Sequence, residues 1–153
     1  YHMPLYGRDR WDGVYIILQI VTIQSWFYFL WTFVHGIFRF LFRLRQIPIM
    51  DILFDPAVFY LSSKVTWVII VELSLVMIAM SIVVSITVER SRKCWDYCFT
   101  LLFLHLVLTM VSHAFPTKPM WWFVFGSATS LLLMISERLC QRREMEDIPV
   151  EGL

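Results

Sequence analysis

Apolar residues fill four long runs of this chain, and charged residues gather in the gaps between them. The first run covers 13–38, between Arg10 and Arg39, and the second covers 65–88, between Lys64 and Glu89. The third, 95–112, follows the stretch ERSRKC. The fourth, 119–136, opens on Met120-Trp121-Trp122 and ends at Glu137. The period-two alternation of a half-buried strand is absent. A helix rises about 1.5 Å per residue, so about 20 apolar residues cross a hydrocarbon layer about 30 Å thick. Each run therefore reads as a transmembrane helix, because a helix satisfies its own backbone in lipid and an open strand does not. The predicted fold is all-α: a polytopic membrane protein forming one four-transmembrane-helix bundle with short loops over 1–153.

The gaps refine this picture. ERSRKC and HAFPTKP read as tight turns that set successive helices antiparallel. The longer stretch 39–64 mixes arginines with Phe, Leu and Ile and is broken by Pro48 and Pro56. Two readings of it stand side by side: an amphipathic segment lying in the interface, and a plain helix extension with snorkelling arginines. The tail, 137–153, carries charges of both signs. It is expected to prolong the last helix into water, with pairs at three or four residue spacing, until Pro149.

Composition excludes a soluble alternative. With 59% hydrophobic and 17% aromatic residues, a chain of this length has too little interior to hide them from water. The net charge of +1 gives no polybasic case for nucleic acid. Three cysteines, Cys94, Cys98 and Cys140, fit neither an even disulfide framework nor a zinc signature. Eight Lys/Arg fall on the side of the two termini and the second loop, against five on the other side. Both termini are therefore expected in the cytosol. No signal peptide is visible, and Met3 is read as the natural start.

Polar residues inside the runs carry the candidate chemistry. Gln19 and Gln24 lie about 140° apart around a helix, so they cannot face one small ligand together. Each reads either as interhelical glue or as part of a partner-binding surface. Gln24, Tyr28, Trp31 and His35 share one face, a bundle seam or a partner-facing stripe. Glu72 sits about two turns inside the second run; an intramembrane carboxylate suggests proton coupling, which makes a small proton-coupled transporter the alternative function. His105 and His113 are eight apart with no metal-ligand spacing, and a neutral His105 bonded to a neighbouring helix is the preferred reading. No nucleophile elbow, paired carboxylates or phosphate loop supports an enzyme, and no cofactor is expected. Trp11-Asp12 stands at the mouth of the first run, as an interfacial Trp and a helix cap. Cys140, beside the membrane, is a candidate for lipidation, with an inert thiol preferred.

These residues also carry a likeness. Trp11-Asp12, Gln19-Ile20-Val21, Gln24 and Tyr28 match one stretch, and Cys94, Asp96, His105, Phe115-Pro116 and Trp121-Trp122 match another. The pattern continues through Glu137 and Cys140 to Ile148-Pro149. In them the chain resembles the Golgi Sys-one integral membrane proteins. Gly13, Glu72 and RFLFRLR depart from that pattern. The resemblance implies a four-span protein of the trans-Golgi network with cytosolic termini. It would be a receptor for an Arf-like (Arf-related) small GTPase that carries an acetylated N-terminus in place of a myristoyl anchor. Recruitment of that GTPase promotes loading of a second Arf-like GTPase, which brings GRIP-domain golgins for endosome-to-Golgi traffic. The expected contacts with the GTPase N-terminus are Trp11, Asp12, Gln19, Gln24, Tyr28, Asp96, His105 and Glu137, in a groove among spans one, three and four.

Overall fold

A computed structural model describes residues 13–42, 48–60, 63–88, 93–113 and 115–146; Trp11 and Asp12 lie outside the described residues. In chain order the elements are α1 (Gly13–Phe42), α2 (Ile49–Phe54), a 3-10 turn (Pro56–Val58), α3 (Lys64–Thr87), α4 (Cys94–Ser112) and α5 (Pro119–Glu146). No strand occurs among the described residues. Helices α1, α3, α4 and α5 are long and apolar enough to cross a membrane.

Local signals explain where the helices begin. The Ser63 hydroxyl accepts the Val65 N–H at 3.2 Å, capping α3. Pro119 opens α5, where a missing N–H costs nothing. Both terminal helices run past the predicted spans. The 30 residues of α1 amount to about 45 Å, more than a hydrocarbon core of about 30 Å. Its surplus turn, Arg39–Phe42, exposes Phe40, Leu41 and Phe42, with Arg39 at the negative end of the helix dipole. Residues 39–42 thus continue α1 as helix.

Each spanning helix buries a narrow line of residues. On α1 it is Ile23, Phe27, Trp31 and His35, every fourth position. On α3 it runs from Thr66 through Glu72 and Met80 to Ser85, a three-and-four alternation. On α4 it is Cys94, Tyr97, Cys98, Leu101, His105 and Thr109, and on α5 it runs from Trp121 through Phe125 and Leu132 to Cys140. Between these lines stand exposed large apolar residues such as Ile17, Phe29, Val71, Phe103 and Phe123, which face lipid in a membrane. Because lipid is as apolar as the core, helix association there rests on close packing and hydrogen bonds rather than escape from water. Small seam residues meet that need. The hydroxyls of Ser81, Ser85, Thr109 and Ser136 all return to their own helix backbone, at 2.6–3.1 Å.

The order around the bundle is α1, α3, α5, α4, with the longest seams between α3 and α5 and between α1 and α3. Helices α3 and α4 share few contacts although ERSRKC joins them. Adjacency in sequence does not choose the neighbour here. Bonds from Ser85 and Val88 to Arg143 and Cys140 show that α3 and α5 run parallel. Bonds from Gln19 to Thr87 and from Cys94 to Cys140 show that α1 and α4 run the other way. One end of the bundle therefore gathers the start of α1, the end of α3, the start of α4 and the end of α5.

At the opposite end, residues 48–60 turn inward and do not lie free in the interface. Ile52, Leu53, Pro56 and Phe59 are buried. Phe54 stacks on His105 at 5.9 Å and Phe59 meets Phe125 at 5.8 Å. Thr66 clamps the segment by donating to Val58 O at 3.1 Å and accepting from Tyr60 N at 3.0 Å.

Candidate functional site

Gln19, Tyr28 and His35 of α1 reach partners on other helices, whereas Thr22 and Gln24 bond within α1. Gln19 Nε2 donates to Thr87 O at 2.8 Å, and the Tyr97 hydroxyl donates to Gln19 Oε1. One amide thus ties the start of α1 to the end of α3 and the start of α4. Five residues on, Gln24 Nε2 donates to the Tyr28 hydroxyl at 3.0 Å, which lies 3.1 Å from His105 Nδ1. With Gln24 donating to it, the Tyr28 hydroxyl donates its own hydrogen bond to Nδ1, which leaves the imidazole hydrogen on Nε2. The two amides therefore serve different neighbours: Gln19 bonds directly to α4 and to the end of α3, whereas Gln24 bonds within α1 to Tyr28, which in turn meets His105 of α4.

His105 is the centre of an aromatic nest. Phe125 lies 4.6 Å from it, Trp31 5.8 Å, Phe54 5.9 Å and Trp121 6.2 Å, by ring centroids. Its histidine neighbour is elsewhere: His113, near the end of α4, faces Asp51 across 3.9 Å. Among the described residues no three His, Cys, Asp or Glu side chains converge as a metal site.

One turn beyond Trp31, His35 Nδ1 donates to both oxygens of Glu72, at 3.0 and 3.3 Å. Both residues are interior, at 3% and 0% exposure. The carboxylate that stood out in the second run is thus matched by a histidine of the first. Three buried nitrogens in this region, Trp31 Nε1, His35 Nε2 and His105 Nε2, have no hydrogen-bond partner.

The other expected site residues lie apart from this seam. Asp96 is exposed on the first turn of α4, and half-buried Glu137 accepts from Gln141 at 3.2 Å. They stand toward the bundle end where α1 begins. Close by, a groove of about 170 Å³ separates α4 from α5, lined by Trp95, Phe99, Leu102, Gly126, Ser130 and Leu133. No wall of it comes from α1, because α1 and α5 sit diagonally in the bundle. Among the described residues it is a cleft of α4 and α5. Gln24, Tyr28 and His105 stand behind it in the seam.

Cys140 differs from its candidate role. It is 2% exposed, its Sγ lies 3.3 Å from Cys94 Sγ, and it donates to Val88 O at 3.7 Å. Its thiol is thus enclosed by α4, α5 and the end of α3, which shields it from an acylating enzyme. Sequence reading also passed over Tyr97, Phe125 and Arg143, whose Nη1 donates to Ser85 O at 2.7 Å. Tyr97 had a signal: with Cys94, Leu101 and His105 it forms one face at three-and-four spacing.

A bundle of four helices long and apolar enough to cross a membrane, joined by interhelical polar bonds, defines a polytopic helical membrane protein. The sequence comparisons name its kind. The profile of the SYS1 family, described as integral membrane protein S linking to the trans Golgi network, matches residues 6–150. The chain belongs to the SYS1 family. It is 29% identical over 147 residues to the protein named Protein SYS1 homolog of Dictyostelium discoideum, across 95% of this chain and 62% of that one. To the protein of the same name in Nematostella vectensis it is 26% identical over 150 residues, across 96% of this chain and 92% of that one. No solved structure matches.

Proposed function

We propose that this protein is a trans-Golgi membrane receptor, with both termini cytosolic, that recruits an N-terminally acetylated Arf-like small GTPase and so supports endosome-to-Golgi and Golgi vesicle traffic. The observation that carries this reading is membership, over 6–150, in a family described by its link to the trans-Golgi network. Physical logic supports it. An amphipathic N-terminal helix holds a membrane weakly by itself, since even a myristoyl chain gives marginal binding. A protein groove beside the bilayer adds specific contacts. Acetylation removes the amine's charge, which would otherwise have to be buried at high cost.

The α4–α5 cleft is the docking place in this reading, with Trp95 at 61% exposure beside Asp96 and Glu137 one turn beyond Leu133. Gln19, Gln24, Tyr28 and His105 are positioning residues: they hold α4 against α1 and so set the cleft's inner wall. A proton-coupled transporter fits less well, because Glu72 is bonded to His35 and lines neither this cleft nor the larger groove between α3 and α5.

The test places a photo-crosslinking amino acid at Trp95, and separately at Phe123 on the far side of α5, in protein held in lipid nanodiscs. An acetylated Arf-like GTPase is expected to crosslink at Trp95 and not at Phe123, with an unacetylated form at least tenfold weaker. Equal capture of both forms, or equal capture at both positions, overturns the proposal.

A further inference from the structure

On the opposite half of the bundle a larger groove, about 310 Å³, runs between α3 and α5. Its walls include Trp67, Ile70, Ser74, Met120, Ser127 and Leu131. From Met120 to Leu131 is about 16 Å of helix, the depth of one leaflet of a hydrocarbon core about 30 Å thick. The wall hydroxyls are already committed: Ser74 Oγ donates to Ile70 O at 2.7 Å and Ser127 Oγ to Val124 O at 2.9 Å. They leave a surface suited to hydrocarbon.

The groove's mouth is cationic. Lys64 begins α3 and Lys118 directly precedes α5, and both are exposed. Tyr60 gathers them onto one patch. Lys118 Nζ sits 4.9 Å above its ring, and Ser63, next to Lys64, donates its backbone N–H to Tyr60 O at 3.0 Å. Trp67, 55% exposed, stands one turn inside Lys64, where an amphipathic ring settles at headgroup level.

We infer that this groove binds an anionic glycerophospholipid, one acyl chain lying between α3 and α5 and the phosphate held by Lys64 and Lys118. A hydrocarbon slot one leaflet deep, closed at the membrane surface by two cations, is complementary to such a lipid in length, polarity and charge. The site faces the other end of the bundle from the α4–α5 cleft, so it stands independently of the proposed GTPase role.

Native mass spectrometry of the full chain, released from micelles doped with equal phosphatidylglycerol and phosphatidylcholine, tests this. One phosphatidylglycerol is expected per chain. A lysine near an anionic headgroup is worth about fivefold, so Lys64→Gln with Lys118→Gln should lower its retention roughly 25-fold. The double arginine variant should keep it. Ser127→Leu, which fills the groove and spares both lysines, should lower it at least fivefold. Size-exclusion profile and helicity, unchanged in every variant, exclude misfolding. Equal retention of the two lipids, equal behaviour of the glutamine and arginine variants, or full retention in Ser127→Leu overturns the inference.

Discussion

His35 and Glu72 join α1 to α3 through a bond between ionisable groups inside the membrane bundle, and removing one partner should be far costlier than removing both. Nδ1 lies 3.0 and 3.3 Å from the two carboxylate oxygens, and exposure is 3% and 0%. At 3.0 Å an ion pair has a Coulomb attraction of about 5.5 kcal/mol at an effective permittivity of about 20. Stripping both groups of water cancels most of it. His35→Leu keeps that desolvation cost and strands Glu72, so it should destabilise by about 3–5 kcal/mol. Glu72→Leu leaves an imidazole N–H without its acceptor, about 1–3 kcal/mol. The double leucine variant, which removes the whole polar pair, should return to within about 1 kcal/mol of the parent. Reversible unfolding in bicelles, followed by denaturant titration, measures the cycle. The neutral Tyr28–His105 bond is the internal comparison. Interhelical bonds of that kind couple by about 0.6 kcal/mol and reach about 1.7. If the His35–Glu72 coupling also falls below that ceiling, the pair is an ordinary interhelical hydrogen bond, and the argument from buried charge is wrong.

Two further outcomes are expected. Gln19→Leu strands the Thr87 carbonyl and the Tyr97 hydroxyl together, so it should cost about 1–3 kcal/mol, from two interhelical bonds, in the same unfolding assay; a neutral effect would contradict the proposed tie among α1, α3 and α4. Cys140 should resist a membrane-permeant maleimide in the folded protein and react fully after SDS denaturation. Labelling of native Cys140 at the denatured rate would refute its placement between α4 and α5.

The spanning helices were legible because their signal is local. Length and apolarity decide membrane crossing, and neither depends on which neighbour a helix meets. Helix order was not legible. Each run is apolar on every face, so the sequence does not mark which stripe turns inward, and a short turn such as ERSRKC limits the distance between helix ends rather than the choice of seam. The polar residues show the same division. Gln19 and His105 announced themselves as interhelical groups, since a lone amide or imidazole in lipid needs a partner. Their partners, Thr87 O, Tyr97 and Tyr28, lie up to 78 residues away in the chain for Gln19 and Tyr97, beyond any periodic pattern. Residues 48–60 were the least legible: Phe54 and Phe59 owe their burial to an aromatic nest assembled by α1, α4 and α5. The cleft near Asp96 and Glu137 takes its walls from α4 and α5, and that pairing follows from the diagonal placement of α1 and α5 rather than from any local pattern.

The bonds of α1 also bear on how the protein is made. Synthesis delivers α1 before α3 and α4, yet Gln19 waits for Thr87 and Tyr97, His35 for Glu72, and Tyr28 for His105. Gln24 can bond at once, to Tyr28 within its own helix, and so can Thr22, to Leu18 O. A newborn α1 therefore sits in the bilayer with its amide and imidazole unanswered until later segments arrive. Quality-control factors that sense stray polarity in a membrane would find this protein during that interval, before α3 and α4 close over it.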